Sequence, residues 1–102
     1  MPDADWVATL KALADQTRLR IVRELLAQSM TVNQITETIR ASQYNVSKHL
    51  RVLKTAGIVE LRALGNQREY SIAEPFRRRL AKQGNTLDLG CCVFRFDQLR
   101  AK

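Results

Sequence analysis

The sequence has a single histidine, His49, and two cysteines, Cys91 and Cys92, which are adjacent. Adjacent cysteines make no disulfide framework. One imidazole does not complete a metal site, which needs several ligands. A small thiol enzyme with Cys92 as nucleophile would lack the neighbouring base that activates such a group. No apolar run approaches the roughly 20 residues of a membrane span. The opening stretch MPDADWVATL lacks the basic start and apolar core of a secretory signal. The cytoplasm is therefore the expected compartment, with no membrane partner. There is no internal repeat and no low-complexity segment. The 102 residues read as one domain, 1–102, with a modest core that association would support.

What the sequence does have is positive charge, and it is unevenly spread. Formal net charge is +7. Residues 1–39 hold four Lys/Arg against five Asp/Glu, residues 40–79 nine against three, and residues 80–102 four against two. A cationic excess confined to one stretch is the footprint of a nucleic-acid face.

That stretch contains the segment around which the chain is organised, residues 31–56, followed by residues 58–72. Val32, Ile35 and Ile39 fall on one helical stripe, with Thr31 placed to cap it. Val46, Leu50 and Leu53 form a second stripe, with Val52 beside it and Ser42 as cap. The other face of this second helix carries Gln43, Tyr44, Asn45, Ser47, Lys48, Arg51 and Lys54, all able to meet phosphates or base edges. Gly57 stops the helix. The strand IVELRAL (58–64), a turn at Gly65, Asn66 and Gln67, and the strand REYSI (68–72) then make a hairpin. Two short helices, a tight turn and a following hairpin are the pattern of a helix-turn-helix with a wing. Arg62 and Arg68 flank the wing tip, and with Gln67 they are its candidate DNA contacts. Ser42 and Thr31 are candidates for caps that also touch phosphate.

Before this unit come two further helices. In residues 4–14, Trp6, Leu10 and Leu13 line one side, suiting either the core or a subunit interface, where aromatics are favoured. These three are the candidate dimer-interface residues. Asp15 can cap the next helix, TRLRIVRELLAQ, whose broad stripe contains Leu19, Val22 and Leu26 with Ile21 and Leu25 alongside. Gln28, Ser29 and Met30 read as a connection. Residues 74–82 form a short helix with Pro75 in its first turn and Phe76 and Leu80 on one side. The tail, 84–102, has strand-favouring Val93, Phe94 and Phe96. It is expected to be extended and to pair with another strand or another subunit, with a helix as the alternative. The fold class is therefore mainly α with a small β-hairpin wing.

At LKALADQTRLRIVRELL (10–26) and SQYNVSKHLRVLKTAGIVELRALGNQREYSI (42–72), the sequence resembles the ArsR/SmtB family of bacterial winged-helix repressors. The resemblance spans roughly residues 5–73. It implies a homodimer that binds a two-fold symmetric double-stranded operator, blocks transcription and is released by an effector. Two metal sites found in that family have no counterpart here. Thr31 and Asn33 stand where some members have a Cys-x-Cys pair, and no Asp/His/Glu cluster follows in the C-terminal segment. The extended tail also replaces the usual C-terminal helix.

Cys91 and Cys92 remain as the candidate effector site. Adjacent thiolates suit a soft, thiophilic metal(loid) such as arsenite, and a dimer would pool four sulfurs. Oxidation would join two chains or add a small thiol, because a disulfide between sequence neighbours is strained. A third reading makes both residues small packing groups with no effector, and alternating strand geometry would point them to opposite faces. His49, beside Leu50, reads as a packing or phosphate-contacting residue. An interaction module that keeps the fold without the DNA contacts is the rival from another class, and the basic patch argues against it.

Overall fold

The computed structural model describes residues 3–82, 84, 86–88 and 93–95. The elements run α1 (Asp3–Leu13), α2 (Gln16–Ala27), β1 (Met30–Thr31), α3 (Val32–Ile39), α4 (Gln43–Thr55), β2 (Val59–Leu64), β3 (Gln67–Ile72), α5 (Glu74–Lys82), β4 (Thr86–Asp88) and β5 (Val93–Arg95). The fold is a winged helix-turn-helix, with α3 and α4 as the helix pair and β2–β3 as the wing.

Local chemistry sets the helix boundaries. Asp15 caps α2, its carboxylate accepting from the Arg18 N–H at 3.0 Å. Thr31 caps α3 through a reciprocal box. Its hydroxyl accepts from the Gln34 N–H at 3.2 Å, and the Gln34 side chain accepts from the Thr31 N–H at 2.8 Å. Ser42 caps α4 by accepting from the Asn45 N–H at 3.1 Å. After α4, Gly57 takes φ +79°, the left-handed conformation that turns the chain into β2.

The turn between α3 and α4 uses a residue less suited to it. Arg40 adopts φ 58° and ψ 48°, with its N–H bonded to Thr36 O at 2.9 Å. A side chain in the left-handed region costs about 1 kcal/mol, a penalty glycine escapes. Arg40→Gly is therefore expected to stabilise the chain by about 0.5–1 kcal/mol in urea unfolding. Arg40→Ala keeps the Cβ and should give no gain; an equal gain from both variants would show that the side chain, not the backbone, is the source.

The core is contiguous. Ile21, Val22 and Leu25 of α2, Ile35 of α3, Val46, Leu50 and Leu53 of α4, Ile58 ahead of β2 and Leu80 of α5 are all essentially inaccessible. On α2 the buried edge is Ile21, Val22 and Leu25, while Leu19 and Leu26 are half-buried flanks. The true stripe is rotated from the expected one, because a broad apolar face leaves its centre to be chosen by the packing.

One feature of the sheet differs from expectation. Met30 and Thr31 form a strand, not a plain connection, and pair antiparallel with Tyr70 and Glu69. This makes β3 central in a three-stranded sheet of order β1-β3-β2 and ties the start of α3 to the wing. A two-residue strand is too short to leave a periodic signal. In the tail, β4 and β5 pair with each other, Thr86 opposite Arg95 and Asp88 opposite Val93. The described strands of the tail are thus extended and paired, as expected. Cys91 and Cys92 fall in sequence between these strands and lie outside the described residues.

Candidate nucleic-acid interface

On α4 the two faces separate cleanly. Val46, Leu50 and Leu53 are buried, whereas Gln43, Tyr44, Asn45, Ser47, Lys48, Arg51 and Lys54 are exposed. Tyr44 is 76% exposed, an unusual position for a large aromatic unless another surface covers it. Packing one stripe of a 3.6-residue helix against α3 fixes which side chains look outward. Ser42 is exposed, but its Oγ already accepts the cap bond.

The wing resolves a question that spacing left open. Its two-residue turn, Gly65–Asn66, sets Leu64 opposite Gln67 and thereby fixes the whole register. Arg62 then pairs with Glu69, and Arg68 with Ala63. Side chains alternate along a strand and residues directly opposite share a face. Arg68 therefore shares a face with Leu61, Tyr70, Val59 and Ile72, the side turned to the helices, whereas Arg62 lies on the reverse. Arg62 reaches back to Glu60 at 3.4 Å on that reverse face. The two arginines do not act as a symmetric pair at the tip.

Arg68 instead joins residues that sequence distance keeps apart. Thr31, Asn33, Gln43, Asn66, Gln67 and Arg68 surround a cleft of about 290 Å³ where the start of α3, the start of α4 and the wing tip converge. Asn33 and Asn66 were not among the expected contacts. The hairpin register would have pointed to Asn66; nothing local marks Asn33. Among the described residues no carboxylate lines this cleft, and two helix N-termini with an arginine and side-chain amides make it suited to an anion.

The remaining candidates fall elsewhere. Leu13 is fully buried within the protomer, which removes it from any subunit interface: its side chain completes the core beneath α1 and α2. Leu10 is half-buried against the same core, and the side chain of Trp6 lies outside the described set. Among the described side chains of α1, those facing outward are Val7, Ala8 and Lys11. Among the described residues there is no group of three or more His, Cys, Asp or Glu placed to hold a metal ion, and no helix long and apolar enough to cross a membrane.

His49 is half-buried on α4 and accepts at Nδ1 from Arg18 Nη1 at 3.3 Å. One nitrogen of its ring is therefore engaged within the protein. Asp15 belongs to the same group. The N–H of Arg18, supported by the positive charge of the Arg18 guanidinium, holds its carboxyl below the usual carboxylate range against the opposing effect of partial burial. A folded-state pKa below the unfolded one stabilises above the unfolded pKa, near 3.9, and that gain disappears as pH falls through the folded value. Asp15→Asn keeps a capping oxygen but loses the charge. The wild type is expected to be more stable than this variant at pH 7, and the two should converge in melts as pH falls below the ordinary carboxylate range. A gap that persists unchanged into acid would rule out the charge as its source.

Comparison with known proteins gives the same picture. Residues 15–60 match the family model described as bacterial regulatory protein, arsR family. An HTH-type transcriptional regulator of Mycobacterium tuberculosis is 39% identical over 71 residues, covering 70% of this chain and 63% of that relative. An arsenical resistance operon repressor of Bacillus subtilis is 34% identical over 86 residues, covering 83% of this chain and 77% of the repressor. Among solved structures, a homodimeric winged helix-turn-helix DNA-binding domain from Mycobacterium bovis superposes with a TM-score of 0.71 at 30% identity. That match covers 79% of this chain and 76% of the domain. The chain belongs to the ArsR family of bacterial regulatory proteins, and is a DNA-binding regulator of transcription, not an enzyme.

Proposed function

We propose that the chain is a cytoplasmic repressor that acts as a homodimer. Two copies place their α4 helices in successive major grooves of a two-fold symmetric operator and so block transcription. The observation that carries this reading is the exposed face of α4, where base-reading amides and phosphate-binding cations lie side by side beside the anion-suited cleft. Gln43, Tyr44, Asn45, Ser47, Lys48 and Arg51 would meet the groove, Gln43 at the edge of the cleft and Arg51 one turn beyond Ser47. Arg68 and Gln67, with Asn33 and Asn66, would grip the DNA backbone at the cleft. Arg62, on the reverse face of the wing, would take a more distant phosphate. The M. bovis relative is itself homodimeric, and the outward face of α1 (Val7, Ala8) is the apolar surface that pairing of this chain would cover, with Leu10 and Trp6 as further candidates for that contact.

The effector reading rests on Cys91 and Cys92. They supply the chain's only thiols, and a B. subtilis relative represses an arsenical resistance operon. A thiophilic metalloid bound by pooled thiolates of two chains would release the DNA.

The test is a titration of reduced protein against duplex from its own operon's promoter and against random duplex, repeated with arsenite and with mild oxidant. Preferential promoter binding is expected, with release by arsenite that a Cys91→Ser/Cys92→Ser variant does not show. Release by oxidant alone would make the pair a redox sensor, and indifference to both would make it structural. Equal binding of promoter and random duplex would overturn the repressor reading.

A further inference from the structure

Arg18 sits where three helices meet, and its contacts are out of proportion to a surface arginine. Its Nε donates to Ala12 O at 2.6 Å and its Nη2 to Lys11 O at 3.2 Å. These are carbonyls of the last turn of α1, where a cation is favoured; Lys11 O also accepts from the Ala14 N–H at 3.3 Å. Its Nη1 lies 3.9 Å from the Asp15 carboxylate that caps α2 and donates to His49 Nδ1 on α4 at 3.3 Å. Only 17% of its side chain is exposed. A guanidinium has donors but no acceptor, so His49 must accept, and the imidazole proton sits on Nε2.

Two further observations give this bridge a consequence. Along this edge α1 and α4 part into a solvent-open groove of about 440 Å³, walled by Ala8 and Ala12 on one side and Arg51 and Val52 on the other, with Arg18 at its margin. Side chains facing solvent across a groove gain little dispersion contact with the opposite wall, so packing holds the helix less firmly on that flank. His49 also lies about 100° around α4 from buried Leu50. A bond there acts on the helix as a lever about its packed stripe, and rolling α4 would displace Ser47, Lys48 and Arg51 together.

We propose that Arg18 is a positioning residue for DNA recognition: it fixes the roll of α4 through His49, so that discrimination between operator and other DNA depends on a side chain outside the DNA-facing surface. The inference rests on the DNA-binding reading above and adds the means by which α1 and α2 set the recognition helix. A gripped helix presents one set of base-edge contacts. A helix free to roll keeps its cations near phosphates but loses the register of its amides.

The test uses the full chain and reads the ratio of promoter to random-duplex affinity by fluorescence anisotropy. In His49→Asn, the amide oxygen occupies nearly the place of Nδ1 and still accepts from Arg18. In His49→Leu, similar bulk remains without an acceptor. Expected is a ratio within about twofold of wild type for the first and a loss of about tenfold for the second, with random-duplex affinity little changed in both. Thermal melts accompany each variant, and His49→Ala serves as a second acceptor-free form should the leucine fail to fold. Adding Arg18→Lys to His49→Leu should cost no further discrimination, because the two act through one bond. A folded acceptor-free variant that discriminates like wild type would overturn the inference alone. A wild type that does not discriminate would overturn the functional reading, and this inference with it.

Discussion

Replacing Lys48, Arg51 and Arg68 together with alanine is expected to flatten the salt dependence of DNA binding by nearly three units of slope. Each phosphate neutralised by a cation contributes about 0.9 to the slope of log K against log salt. Between 50 and 200 mM salt, wild-type affinity should therefore fall about 40-fold further than that of the triple variant. The three side chains are exposed and come from α4 and the wing, so their removal tests whether the two elements bind one continuous backbone. Exposed substitutions usually change stability by no more than about 0.5 kcal/mol, so the melt should barely move. A slope equal to that of wild type would mean these cations do not touch phosphate. A drop of about one unit would leave a single residue in contact and separate the wing from the helix.

The largest effect on stability is expected from Leu50→Ala. Leu50 is fully buried at the centre of the α4 stripe. Truncating such a residue costs about 2–5 kcal/mol, through lost transfer energy and the cavity left behind. A domain of this size has roughly 5–15 kcal/mol in total. The melting midpoint should fall by about 10 °C or more, and specific DNA should restore part of it by binding only the folded state. Val52→Ala on the same helix is the control. Val52 is 38% exposed, and its truncation should shift the midpoint by only a degree or two. Equal shifts from the two variants would mean that α4 is rotated from the orientation described here.

That α4 has a buried and an exposed, polar side was legible in the chain itself. Helical period, cap chemistry and a glycine stop are local properties, and each acts over four residues or fewer. Asp15, Thr31, Ser42 and Gly57 all mark their boundaries where expected. The bounds of α5, Glu74–Lys82, follow from Pro75 and the Phe76–Leu80 spacing in the same way. The features that depart from the sequence pattern involve partners remote in sequence or a broad apolar face. The centre of the α2 stripe needed α3 and α4 in place. Leu13 could not be assigned to core or interface from a stripe that suits both.

The amino-acid sequence by itself determined the winged helix-turn-helix class, the exposed side of the recognition helix and the placing of positive charge on that half of the chain, because each follows from contacts between near neighbours. Only the tertiary structure decided that Arg68, not Arg62, faces the cleft, since a strand's facing depends on its register with a partner. It alone paired Met30 and Thr31 with β3, and brought Arg18 to His49 across 31 positions of sequence. Such pairings are fixed by how the packed helices and the sheet meet, and a repeat pattern read along one segment carries no record of the segment it will meet.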